Sequence, residues 1–296
     1  MSAWPAPGAR ERHTAAPRYV APPGRAPLAV ALDAPDGASA LRWAAAVAPH
    51  AAVLKIGMEL FYREGPAFIE RLRAQGLLAD PARRKGLGSA QPAESGSPGS
   101  WADAARGLAE NGVGMAPELF LDLKLHDIPA TVAGGMRSVA TLLPRFVTVH
   151  AAGGSAMVRA ALEAAPGVDV AVVTVLTSLD AAELAAVGLA GSPQDAVRRL
   201  ADLAVEAGAH TLVCSPQEVR MVRSELGDNV TLITPGVRPS GSDVADQARI
   251  ATPREAVEAG ADLVVVGRPI TRATDLGEAA RAVADSISAG RAPVAR

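Results

Sequence analysis

Short apolar runs alternate along this chain with stretches in which apolar residues return at three- and four-residue spacing. The runs predict strands at 28–33, 52–57, 119–124, 146–150, 168–176, 211–214, 230–234 and 262–266. Between them the spacing predicts a helix over 37–47, one carrying Phe61, Phe68, Ile69 and Leu72, and others over 129–142, 154–164, up to about 206, 216–226, 252–258 and 275–287. Eight short apolar strands, each followed by a helix, point to an α/β protein built as a (β/α)8 TIM barrel rather than an open sheet.

Two stretches break the pattern. Residues 1–26 hold Pro5, Pro7, Pro17, Pro22 and Pro23 without an apolar run, which predicts a disordered tail with no signal-peptide core. Residues 79–118 gather Gly, Ser and Pro, with a short helix expected near 101–110, and read as a low-complexity insert. Taking 26 tail and 40 insert residues from 296 leaves 230, close to the roughly 250 typical of a barrel. One catalytic domain over 27–290 is therefore expected. The insert joins a helix to a strand, so it belongs to the rim opposite the active site.

Composition narrows the partners. A net charge of −2 gives no electrostatic reason to expect nucleic acid, and no apolar run approaches the length needed to cross a membrane. The lone Cys214 excludes an intrachain disulfide and a cysteine-cluster metal site, and it suits a reducing cytoplasm.

Candidate chemistry lies at the strand ends, where a barrel places its active site. Asp33, Lys55, Asp122 with Lys124, His150, Thr177 with Ser178, Arg238 and Arg268 all fall there, as a site for a polar anion requires. In the stretch Leu-Phe-Leu-Asp122-Leu-Lys124-Leu-His126-Asp127-Ile-Pro, strand alternation puts Asp122 and Lys124 on one face and the leucines on the other. Two carboxylates around one ammonium suit proton delivery. The bland alternatives are a satisfied buried ion pair and, for Asp127, a helix cap. His126 and His150 are expected to be structural. Gly236 with Arg238, and Gly267 with Arg268, follow the last two strands, where barrels commonly hold phosphate.

The signature Asp122-x-Lys124-x-x-Asp127-Ile-x-x-Thr131 resembles the orotidine 5′-phosphate decarboxylase family, in its bacterial branch. So do Val-Ala-Leu-Asp33, Leu-Lys55-Ile-Gly, Val-His150-Ala-Ala-Gly-Gly, Val-Leu-Thr177-Ser178, Thr-Pro-Gly-Val-Arg238-Pro and Val-Gly267-Arg268-Pro. The resemblance implies a cofactor-independent, metal-free lyase that converts orotidine 5′-monophosphate to UMP and CO2, the last step of de novo pyrimidine synthesis. It implies Lys124 as the proton donor to C6, flanked by Asp122 and Asp127. Asp33 and Lys55 would hold the ribose, Thr177 and Ser178 the pyrimidine, and Arg238, Gln247, Gly267 and Arg268 the phosphate. It further implies a homodimer in which Asp127 and Thr131 reach into the partner's site. The bare Asp-x-Lys-x-x-Asp is also shared with metal-dependent sugar-phosphate decarboxylases and aldolases of the same superfamily. A nucleotide-binding barrel without catalysis is a further alternative.

Overall fold

Most strands of this chain are apolar on two faces, and the fold buries both. The computed structural model describes residues 18–79, 116–238 and 251–290. Eight parallel strands close in sequence order: β1 (Leu28–Ala31), β2 (Val53–Gly57), β3 (Glu118–Leu125), β4 (Phe146–His150), β5 (Asp169–Val173), β6 (Thr211–Val213), β7 (Thr231–Thr234) and β8 (Leu263–Val266), with β8 paired back to β1. Around them run α1 (Gly37–Val47), α2 (Met58–Glu64), α3 (Pro66–Ala74), α4 (Pro129–Ala140), α5 (Ser155–Ala164), α6 (Ala181–Ala186), α7 (Pro193–Glu206), α8 (Pro216–Leu226), α9 (Pro253–Glu258), α10 (Arg268–Thr271) and α11 (Leu276–Gly290). The expected (β/α)8 TIM barrel is the observed architecture.

Strand alternation divides the core in two. Leu119, Leu121, Val147 and Val149 point outward into a layer shared with the helices. Phe120, Phe146, Val53, Val173, Ile233 and Leu263 point inward and fill the barrel. Two edge-to-face contacts, Phe120 with Phe146 at 5.5 Å and Phe146 with Tyr19 at 5.3 Å, make a dry floor beneath the strand ends.

Several helices begin by one device. Ser192, Ser215 and Thr252 each precede a proline and cap the backbone, while Asp195, Glu218 and Glu255 return the bond as a capping box. The single helix expected through Phe61 and Leu72 is two, because Gly65 adopts φ +67 and Pro66 offers no N–H to continue the ladder. Strand β1 stops at Ala31, leaving Asp33 on the loop, and β5 stops at Val173 rather than running to 176.

The tail expected over 1–26 divides at its C-terminal third. Residues 1–17 lie outside the described residues, whereas Tyr19 and Ala21 are buried in the barrel interior. The insert is described only at its stems, where Ala79 N–H donates to Pro117 O at 2.8 Å, just ahead of β3 and on the rim away from the strand ends. The short helix expected near 101–110 lies outside the described residues.

Asp262 fastens this N-terminal segment. Its carboxylate is 4% exposed and accepts from Arg18 Nε at 2.8 Å, Arg223 Nη2 at 2.6 Å and Leu232 N–H at 2.8 Å. Tyr19 N–H adds a bond to Thr231 Oγ1 at 2.8 Å. Asp262→Ala takes the carboxylate partner from the Arg223 guanidinium, which keeps the Gly227, Val230 and Gly260 carbonyls, and leaves the Leu232 N–H without its acceptor; it is expected to cost about 3 kcal/mol in urea unfolding. Arg18→Ala, at a partly exposed group, should cost under about 1 kcal/mol. Equal, small losses in both would show that Asp262 is not the anchor.

Candidate active site

The centre of the site is a disturbance in strand pairing. Leu121 pairs with Val147 and Leu125 with Val149, so four steps along β3 match two along β4. The extra residues form a bulge opposite Thr148, and Lys124 takes φ +50, a left-handed conformation that costs a non-glycine residue about 1–2 kcal/mol. Thr148, 1% exposed and on the inward face with Phe146, compensates. Its Oγ1 accepts the Lys124 N–H at 2.8 Å and its hydroxyl donates to Asp122 Oδ1 at 3.0 Å.

The bulge keeps Asp122 and Lys124 together inside the barrel mouth, as the alternation predicts. Lys124 Nζ donates to Asp122 Oδ1 at 2.8 Å, and Lys55 Nζ lies 3.0 Å from Asp122 Oδ2 and 3.7 Å from Asp33 Oδ1. The result is an alternating row of Asp33, Lys55, Asp122 and Lys124. Burial alone would raise the Asp122 carboxyl, but Lys55 and Lys124 outweigh it and hold the group well below the usual carboxylate range. Burial likewise opposes the charge on Lys55, yet Asp122 and Asp33 leave its pKa raised. Both charges therefore persist through neutral pH. Lys55 sits in the middle of β2, not at its end, and its long side chain reaches the mouth. Gly57 leaves room for the row, since a Cβ there would stand 2.9 Å from Asp33 Oδ1.

A cavity of about 490 Å³ opens over this row. It brings together the sequence-predicted Asp33, Lys55, Asp122, Lys124, Thr177, Arg238, Gly267 and Arg268. Arg238 is 7% exposed, and its buried Nε has no hydrogen-bond partner among the described residues. Such an orphaned cationic donor at a cavity wall suits an anionic ligand. A row of mixed charge and a pair of arginines thus face one space.

Other expected residues lie elsewhere. Ser178 is exposed and does not line the cavity, and Gln247 lies outside the described residues. Asp127 and Thr131 are exposed on the rim beyond β3 and do not line it either. Asp127 is not the cap of α4: that position is Ile128, and Asp127 Oδ1 only accepts the adjacent Ile128 N–H at 2.7 Å. His126 and His150 stack on each other with ring centres 5.5 Å apart. Burial lowers the His150 pKa, with His126 and Lys124 adding to it. Cys214 lines the cavity but is buried, which pushes its thiol pKa up and keeps it protonated. Thr148 and Trp43, which also line the cavity, carried no sequence signal, because neither belongs to a charged strand end.

The comparisons with known proteins agree with this geometry. Residues 26–80 and 94–283 match the sequence model of the orotidine 5'-phosphate decarboxylase / HUMPS family, and the unmatched 81–93 fall within the low-complexity stretch. An orotidine 5'-phosphate decarboxylase of Frankia casuarinae is 69% identical over 282 residues, covering 95% of each chain. One from Thermobifida fusca is 58% identical, covering 88% of this chain and 96% of its own. The crystal structure of orotidine 5'-phosphate decarboxylase from Lactobacillus acidophilus superposes with a TM-score of 0.67 at 31% identity, over 88% of this chain and 99% of that one. This chain belongs to the orotidine 5'-phosphate decarboxylase / HUMPS family.

Proposed function

We propose that this protein is a carboxy-lyase that converts orotidine 5′-monophosphate to UMP and CO2, with Lys124 as the proton donor. The observation that carries the reading is the Asp33–Lys55–Asp122–Lys124 row facing Arg238 and Arg268 across one cavity. The two arginines and Gly267 would take the phosphate, and Asp33 with Lys55 the ribose hydroxyls. Thr177, which lines the cavity, would meet the pyrimidine. The substrate carboxylate then lies against Asp122. The C6–carboxylate bond breaks, CO2 leaves, and the electron pair stays on C6 beside the Lys124 ammonium. Nζ donates its proton to C6, giving UMP, and the neutral lysine recovers a proton from solvent. Held between two ammonium groups, Asp122 stays ionised and keeps Lys124 aimed and charged until the carbanion forms. Gripping the phosphate far from C6 supplies binding energy that is used at the reacting bond.

Asp127 does not line the cavity of its own chain. Its exposure, with Ile128 66% exposed beside it and Thr131 on the same rim, supports a homodimer in which Asp127 and Thr131 complete the partner's site. Among the described residues no helix is long and apolar enough to cross a membrane.

The direct test follows the loss of orotidylate ultraviolet absorbance in the presence of EDTA. Turnover is expected to persist; its abolition by EDTA would favour a metal-dependent sugar-phosphate enzyme, and tight UMP binding without turnover a silent nucleotide-binding barrel. Lys124→Ala should retain UMP binding and lose at least about 10³-fold in kcat, since both the proton and the charge beside C6 disappear. A loss within tenfold would remove Lys124 from the mechanism.

Mixed dimers test the shared site. When Lys124→Ala and Asp127→Ala chains exchange at random, about half the dimers are mixed, and action in trans gives each of these one intact site. Activity should recover to roughly a quarter of wild type. With each variant nearly inactive alone, no recovery after verified exchange would place Asp127 in its own chain's site.

A further inference from the structure

We infer that Thr148 is a positioning residue for the decarboxylation, acting through Lys124. The inference rests on the reading of Lys124 as proton donor and goes beyond it. Its basis is how little freedom the Thr148 hydroxyl has. A threonine hydroxyl offers one donor and two acceptor sites. Asp122, kept ionised by Lys55 and Lys124, can only accept, so the hydroxyl proton must go to its Oδ1. The oxygen is then left to accept the Lys124 N–H. Both directions are fixed by the charges around them.

One oxygen, Asp122 Oδ1, thus receives both the Thr148 hydroxyl and the Lys124 ammonium. Thr148 holds Lys124 at two points: its backbone directly, and its side chain through the carboxylate that aims it. The bulge makes this necessary. Where β3 carries extra residues against β4, regular ladder pairing is interrupted, and the Lys124 amide is satisfied by a side chain instead. A left-handed lysine persists only where its surroundings over-determine it. Without the hydroxyl the backbone can relax towards ordinary pairing, which swings Nζ away from C6. Misplacement of a reacting group by about 1 Å can cost on the order of 10²-fold in rate. Thr148 would touch neither the phosphate nor the ribose grip, so its effect should fall on kcat.

The experiment compares Thr148→Val, which keeps the shape and loses the hydroxyl, with Thr148→Ser, which keeps the hydroxyl and loses a methyl. Thr148→Val is expected to lose roughly 10- to 100-fold in kcat for orotidylate with KM and the UMP dissociation constant within about twofold. Thr148→Ser should stay within about threefold of wild type. Should Thr148→Val not fold, Thr148→Ala against Thr148→Ser asks the same question, because both lack the γ-methyl and only one lacks the oxygen. Equal losses in the Ser variant and the hydroxyl-free variant, a kcat within twofold of wild type without the hydroxyl, or a matched rise in KM each overturn the inference. Lys124→Ala is measured alongside. If it is inactive while hydroxyl-free Thr148 variants turn over normally, only the positioning role falls; if it remains active, the proton-donor reading falls and takes this inference with it.

Discussion

Everything at the mouth of this barrel depends on one carboxylate shared by two ammonium groups. Asp122 is largely withdrawn from water, and an isolated charge there would be expelled or neutralised. Lys55 and Lys124 at 3.0 and 2.8 Å make its ionisation favourable, and Asp33 balances the excess positive charge from the other side of Lys55. Removing either inner member, Lys55 or Asp122, breaks two of the row's three ion pairs, so the row is a cooperative unit rather than a set of pairs.

The barrel beneath the row makes it effective. Phe120, Phe146 and Tyr19 close the interior below the charges, and the N-terminal segment that delivers Tyr19 is tied to Asp262 on the far side. Lys55 and Asp122 are buried above that floor, so their fields are less screened than at an open surface. Few aromatic residues occur in this chain, yet three of them sit in this one column.

The site also stores local strain where chemistry is proposed. A left-handed Lys124 and a bulge are unfavourable features of a parallel strand, and the hydrogen bonds from Thr148 offset them. The rim that follows, with Asp127, Ile128 and Thr131, is exposed. Both features mark places where local regularity yields to the needs of a binding surface.

Much of this was legible in the sequence. Period-two alternation put Asp122 and Lys124 on one face, repeated strand and helix patterns gave the barrel, and the polar residues near strand ends far apart in sequence pointed to one shared cavity. What the sequence could not supply was the pairing between strands. Thr148 looks like an ordinary interior threonine until closure sets β4 two residues short against β3, and Tyr19 looks like part of a proline-rich tail until the barrel floor receives it. The split at Gly65-Pro66 is locally written, but the apolar spacing continues across it and hides it. Asp33 and Arg268 are 235 positions apart, and only the closed sheet, by pairing β8 with β1, brings them to one cavity. Side-chain periodicity is a local property that each segment declares for itself; register and closure are relations between segments, and they are decided by packing the whole chain.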